Sequence, residues 1–165
     1  MSSRILVILA MLLYSLSISA ENRLFQSTYG VLSGYHNNSY KIISRGQYFY
    51  GYGFIDNNRA FIASQPNNFE EAIAVLEIYD FKTNEKHKIL EVGGVGESNF
   101  DINPSNGSII FNDSEGLKIM KIDTKNNASI NTIIKSKIIV APFWVNGNEV
   151  GYTELGKGFS KIKIK

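Results

Sequence analysis

Three stretches of this chain repeat one local grammar, and that repetition constrains its folding more than any single motif does. Asn99-Phe100-Asp101-Ile102 leads through Asn103-Pro104-Ser105-Asn106-Gly107 into Ser108-Ile109-Ile110-Phe111. Pro142-Phe143-Trp144-Val145 leads through Asn146-Gly147-Asn148 into Glu149-Val150-Gly151-Tyr152, and Gly53-Phe54-Ile55 leads through Asp56-Asn57-Asn58 into Arg59-Ala60-Phe61-Ile62. Each is an apolar run, a turn of residues that tolerate positive φ, and a second apolar run, which is a hairpin written in sequence. A companion half recurs as Leu76-Glu77-Ile78-Tyr79-Asp80 before Thr83-Asn84, and again from Leu117 to Asp123 before Thr124. Thr83 and Thr124 lie 41 residues apart, as do Ser108 and Glu149. A unit of that length holding four short strands cannot bury its own apolar face and must stack on its neighbours.

On these residues the chain resembles the TolB-like and WD40-like β-propeller repeats, over about three blades between residues 47 and 165. The resemblance implies an all-β fold of four-stranded antiparallel blades, each running through a Pro-Asp-Gly hairpin and a strand that ends in Asp before a Thr-Gly turn. Asn103 to Gly107 and Asn146-Gly147 stand for the first hairpin, and Thr83-Asn84 and Thr124-Lys125 for the last. Asn replaces the hairpin Asp, the closing Gly is missing, and the step from Arg59 to Ser108 is 49, which implies a longer loop around residues 65–71.

Thirteen strands are expected: two near 28–33 and 40–44, four over 48–91, four over 98–134 and three over 139–165. A closed propeller needs at least four blades of four strands. The expectation is therefore a partial propeller, or one completed by oligomerisation. Residues 69–80 also fit a short helix, because Asn67-Asn68 precede Glu70-Glu71 at capping distance and Ala72, Val75, Leu76 and Tyr79 recur at helical intervals. The repeat register favours a strand over 75–81.

Residues 1–20 have the layout of a cleaved secretory signal: Arg4, an apolar run from Ile5 to Leu13, then Ser15, Ser17 and Ser19 before Ala20. Cleavage is expected after Ala20, with a cut after Ser19 a near alternative, and the run is too short for a membrane anchor. The remainder, 21–165, reads as one propeller-like domain, secreted or periplasmic. The full chain carries a formal charge of +2, and loss of Arg4 leaves +1, which gives no electrostatic preference for nucleic acid or an anionic membrane. Without cysteine, an exported chain has no disulfides, thiolate metal sites or lipid anchor on a cysteine, so packing alone must hold it together.

Catalytic material is sparse. The two histidines are His36, placed in a loop, and His87, within Lys86-His87-Lys88; they supply neither a triad nor a metal site. Gly96-Glu97-Ser98-Asn99-Phe100 lacks the closing glycine of a nucleophile elbow. Gly93-Gly94-Val95-Gly96 is neither a P-loop nor a dinucleotide fingerprint and reads as a connection between blades. Asp101, Asn103 and Ser105 have calcium-loop spacing, but Asn106 and Asn112 occupy positions that need Gly and Glu, so a hairpin is the better reading. No catalytic residue, metal or cofactor is assigned. Asp56 and Asp101, at inner-strand ends, are the one carboxylate pair from which a reduced carbohydrate-active or peptidase-associated enzyme could draw an acid and a base.

The stretch Tyr48-Phe49-Tyr50-Gly51-Tyr52-Gly53-Phe54 is the most suggestive. Strict alternation places Tyr48, Tyr50, Tyr52 and Phe54 on one face, with the glycines on the other, where a neighbouring backbone can come close. This ladder, Trp144 and Tyr152 form the candidate surface for a ligand or partner. The expected role is a protein-binding module that engages a protein, or another copy of itself, through exposed blade faces.

Overall fold

The structure, a computed structural model, describes residues 22–27, 30–45, 48–65, 73–93, 100–136 and 139–164. The expected signal segment, the start of the alternative helix and, beyond Gln65, the longer loop expected around 65–71 lie outside them. The described chain is all-β, with fourteen strands and no helix. It forms four antiparallel sheets, none of them closed. Sheet 1 holds β1 (Arg23–Gln26), β2 (Val31–His36) and β3 (Ser39–Arg45). Sheet 2 holds β4 (Tyr48–Phe54), β5 (Arg59–Gln65), β6 (Ile73–Asp80) and β7 (Glu85–Gly93). Sheet 3 holds β8 (Phe100–Ile102), β9 (Ile109–Asp113), β10 (Gly116–Ile122) and β11 (Ala128–Lys135), and sheet 4 holds β12 (Ile139–Asn146), β13 (Glu149–Glu154) and β14 (Gly158–Lys163). Strands follow chain order within every sheet.

Residues one repeat apart occupy equivalent places. Thr83 and Thr124 sit in the turns between third and fourth strands, and Ser108 immediately precedes the second strand of sheet 3 where Glu149 opens that of sheet 4. The expected strand count misses β1, whose four residues carry only Leu24 and Phe25 as an apolar signal. Residues 73–80 form a strand, not a helix; two rows of pairing, to β5 and to β7, outweigh the local helical spacing.

Turn chemistry explains why the hairpins close where they do. Asp56 Oδ1 accepts the amides of Asn58 and Arg59, Asp80 Oδ1 that of Lys82, and Asn103 Oδ1 that of Ser105. Asp113, Asp123 and Asn146 each accept the amide two residues on in the same way. A short polar side chain thereby satisfies a donor that the turn would otherwise strand. Asn37 and Asn38, with φ of 46° and 60°, make the two-residue β2–β3 link that suits strand twist.

Three apolar layers bind the four sheets in sequence. Between sheets 1 and 2 lie Leu32, Ile43, Phe49, Ile62, Tyr79 and Phe81. Sheets 2 and 3 enclose Tyr50, Phe61, Leu76, Phe100, Ile109 and Phe111. Sheets 3 and 4 enclose Ile110, Leu117, Ile139 and Val150, with Trp144, Tyr152 and Ile162 at the margin. Each fully buried Leu, Ile or Phe contributes ~1.5–3 kcal/mol, so these layers are the main source of cohesion in a chain without disulfides. Contacts between sheets run mainly through the leading strands, β1 on β4, β4 on β8, and β12 on both β8 and β9, and no comparable contact joins two of the trailing strands β3, β7, β11 and β14. The sheets therefore approach most closely along one side.

Candidate interaction surface

The β4 ladder is divided by a bulge. Phe49 pairs with Ser64 and Gly51 with Ala63, which leaves Tyr50 as an extra residue. A bulge reverses the phase of alternation beyond it. Phe49, Tyr52 and Phe54 accordingly face sheet 1, whereas Tyr50, Gly51 and Gly53 face sheet 3. The single aromatic face expected from strict alternation is not formed. Tyr50 is buried and donates its hydroxyl to Gln65 Oε1 at 3.0 Å. Its hydroxyl pKa is raised, first by burial and then by Tyr48 alongside. Tyr48, at the strand start, stays 37% exposed.

The glycines work as the packing account expected. A Cβ on Gly51 would lie 2.6 Å from Phe100 Cβ and 2.7 Å from its carbonyl oxygen, and one on Gly53 would lie 3.0 Å from Ile102. Here two leading strands press backbone to side chain. Trp144 and Tyr152, the other candidate residues, sit partly buried between sheets 3 and 4. Five of the six candidate residues thus fall into three separate layers, and Tyr48 stays exposed, so they do not form one platform.

The acids are committed to structure. Asp101 Oδ2 accepts the Trp144 amide at 2.7 Å and so joins sheet 3 to sheet 4. Asp56 Oδ2 accepts Arg59 Nε at 2.7 Å. Partial burial raises the Asp56 carboxyl, but hydrogen bonds from the Asn58 and Arg59 amides and the Arg59 guanidinium outweigh it, and the net pKa falls below the ordinary carboxylate value. That is the wrong direction for a general acid. Asn103, wholly buried, donates Nδ2 to the Gly147 carbonyl at 2.9 Å, again a bond between sheets 3 and 4. The side-chain oxygens of Asp101 and Asn103, two of the three residues with calcium-loop spacing, are thereby used within the hairpin and across to the next sheet.

His36 is not in a loop. It ends β2, is 7% exposed, stacks on Phe81 at 4.6 Å, and donates Nε2–H to the Asn57 carbonyl at 2.8 Å. Arg59 makes the matching link from sheet 2 to sheet 3, through Nη1 to the Asp123 carbonyl at 2.6 Å and Asn126 Oδ1 at 2.9 Å. Among the described residues no three His, Asp or Glu side chains are grouped to hold a metal. A shallow cleft of about 350 Å³ beside Arg59 and Lys82 also contains Asp56 and Asp80, so its charges balance.

Sequence reasoning missed all but Tyr48 of the residues that are open. Among the described residues the exposed large apolar side chains are Phe25, Tyr40, Ile42, Tyr48, Ile130, Phe143, Val145, Leu155 and Phe159. Most belong to the two outermost sheets. On sheet 1, Phe25 and Ile42 flank Ser33 across the face turned away from sheet 2, with Tyr40 in the next row. On sheet 4, Phe143 and Phe159 stack at 6.0 Å over Gly151, whose Cβ position they would fill at 2.7 and 3.0 Å. Among the described residues nothing covers either face. The sequence signal was the alternation itself: in β3 and β14 both phases carry apolar residues, more than a one-sided sheet requires. No known family matches the chain, nor does any curated protein.

Proposed function

We propose that this chain is an exported protein-binding module built from TolB-like propeller blades, without chemistry of its own, that acts in the periplasm or outside the cell. The observation that carries the reading is the concentration of exposed apolar residues on the outward faces of sheets 1 and 4. Contiguous apolar surface of this kind marks interaction sites in folded proteins. The propeller-like arrangement is supported by the four successive sheets, the equivalence of residues 41 apart, and the contact of leading strands along one side. The export assignment rests on the layout of residues 1–20.

The test is site-specific crosslinking in the producing cell. A photoreactive side chain at Phe159 or Phe25 should form a discrete protein adduct, and one at Thr132 on the β11 edge should not. Equal, diffuse labelling from all three positions would remove the proposal. The enzyme alternative draws on Asp56 and Asp101, whose carboxylates already accept backbone amides. If Asp56→Asn and Asp101→Asn abolished a hydrolase or lyase activity without lowering thermal stability, that alternative would replace the binding reading.

A further inference from the structure

Inside the chain one kind of contact occurs three times: the forward face of a sheet meets the rear face of its successor. The register identifies equivalent residues. Ala60, Ile109 and Val150 each pair with the leading strand next to the first turn, opposite Phe54, Ile102 and Trp144. The following residues, Phe61, Ile110 and Gly151, therefore stand at one place on three forward faces. Phe61 and Ile110 are fully buried by the next sheet. At Gly151 the apolar groups are instead the flanking rings of Phe143 and Phe159, which remain 43% and 56% exposed. Among the described residues, the rear face of sheet 1 is the corresponding uncovered surface, with Phe25 at 45% and Ile42 at 51%.

These two faces are the two halves of the contact that the chain already makes internally. Resting on the binding reading above, we propose that the partner is a second copy of this chain, docked so that the forward face of sheet 4 in each copy covers the rear face of sheet 1 in the other. The internal interfaces supply the template, since each joins a forward apolar face to a rear one through leading strands. Stoichiometry follows from ring size. Closed propellers ordinarily hold four to eight blades; one copy has four sheets but leaves both end faces exposed, two copies give eight, and three give twelve. A forward-to-rear contact that closes after two copies also ends growth, where one that failed to close would run on as a filament.

Sedimentation equilibrium of the full chain, with single-face variants, tests this. Wild type should run at twice the monomer mass. Phe159→Asp, on the forward face, and Ile42→Asp, on the rear face, should each run as monomers. Mixed together, these two variants should form a pair, because one intact forward face still meets one intact rear face, with an affinity weaker than wild type. Should either substitution impair folding by circular dichroism, Val145→Asp and Tyr40→Asp replace them. A dimer abolished by Phe159→Asp but untouched by Ile42→Asp would mean that like faces meet and would overturn the proposal. A wild type that stays monomeric overturns it as well. Crosslinking at Phe159 then separates the two ideas: an adduct with a different protein keeps the binding reading alone, and no adduct removes both.

Discussion

Replacement of Gly51 by alanine isolates the force that holds sheets 2 and 3 together. The backbone of Gly51 is not left-handed, so alanine meets no torsional penalty there. The cost is steric: the new methyl would lie 2.6 Å from Phe100 Cβ and 2.7 Å from the Phe100 carbonyl oxygen. A backbone atom cannot rotate aside as a side chain can, so β4 and β8 must separate or the bulge at Tyr50 must shift. Overpacking of this kind costs ~1–3 kcal/mol, and contact with backbone places it near the top of that range. At ~2–4 °C per kcal/mol for a chain of this size, the melting temperature should fall by about 6–12 °C. Gly93→Ala is the control, because nothing lies within 4 Å of its Cβ position. There alanine restricts the unfolded chain and should stabilise by ~0.4–1 kcal/mol. Thermal unfolding followed by circular dichroism reads both. If the two variants melted together, or Gly51→Ala matched wild type, the close contact of the leading strands would be wrong.

Further expectations concern charge. Lys118 bonds Asp113 and Glu115, each at 2.6 Å, and both Lys118 and Asp113 are nearly buried; Lys118→Met should cost ~2–3 kcal/mol in urea unfolding by leaving Asp113 unpaired. Lys88→Met, at the exposed pair with Glu91, should change stability by no more than ~0.5 kcal/mol. Arg59→Lys keeps the charge but loses the fork that spans Asp56, Asp123 and Asn126, and should cost ~1–2 kcal/mol in the same assay. The folded pKa of Asp56 lies below its ordinary value. Its stabilising share is therefore present above the ordinary carboxylate range and lost as pH falls through the depressed folded value. Asp56→Asn should flatten that part of the acid limb in a pH series of thermal melts and leave the neutral-to-alkaline side unchanged in slope.

What could be read from sequence was what local chemistry decides. Turns were legible because Asp or Asn at a hairpin entrance bonds the amide two residues on, whatever the sheets do elsewhere. Sheet number and spacing followed from the 41-residue register. The bulge at Tyr50 was not legible, since it arises from how β4 matches β5 and not from β4 itself, and it sends the tyrosine ladder into two layers. The same dependence on partners hid His36, whose neighbours Phe81 and Asn57 lie in another sheet. Which residues form the outward faces escaped notice for a related reason. An apolar residue on a strand signals burial, but only the stacking order reveals which apolar face has no sheet against it.

The claim on which all this depends is that the described sheets form an open series with two uncovered apolar ends. Carbene footprinting of phenylalanines, at a dilution where sedimentation gives monomer, measures it most directly. Phe25, Phe143 and Phe159 should label heavily, and Phe61, Phe100 and Phe111, each no more than 6% exposed, should be protected. Equal labelling of the two groups, or protection of Phe143 and Phe159 in the monomer, would contradict the account.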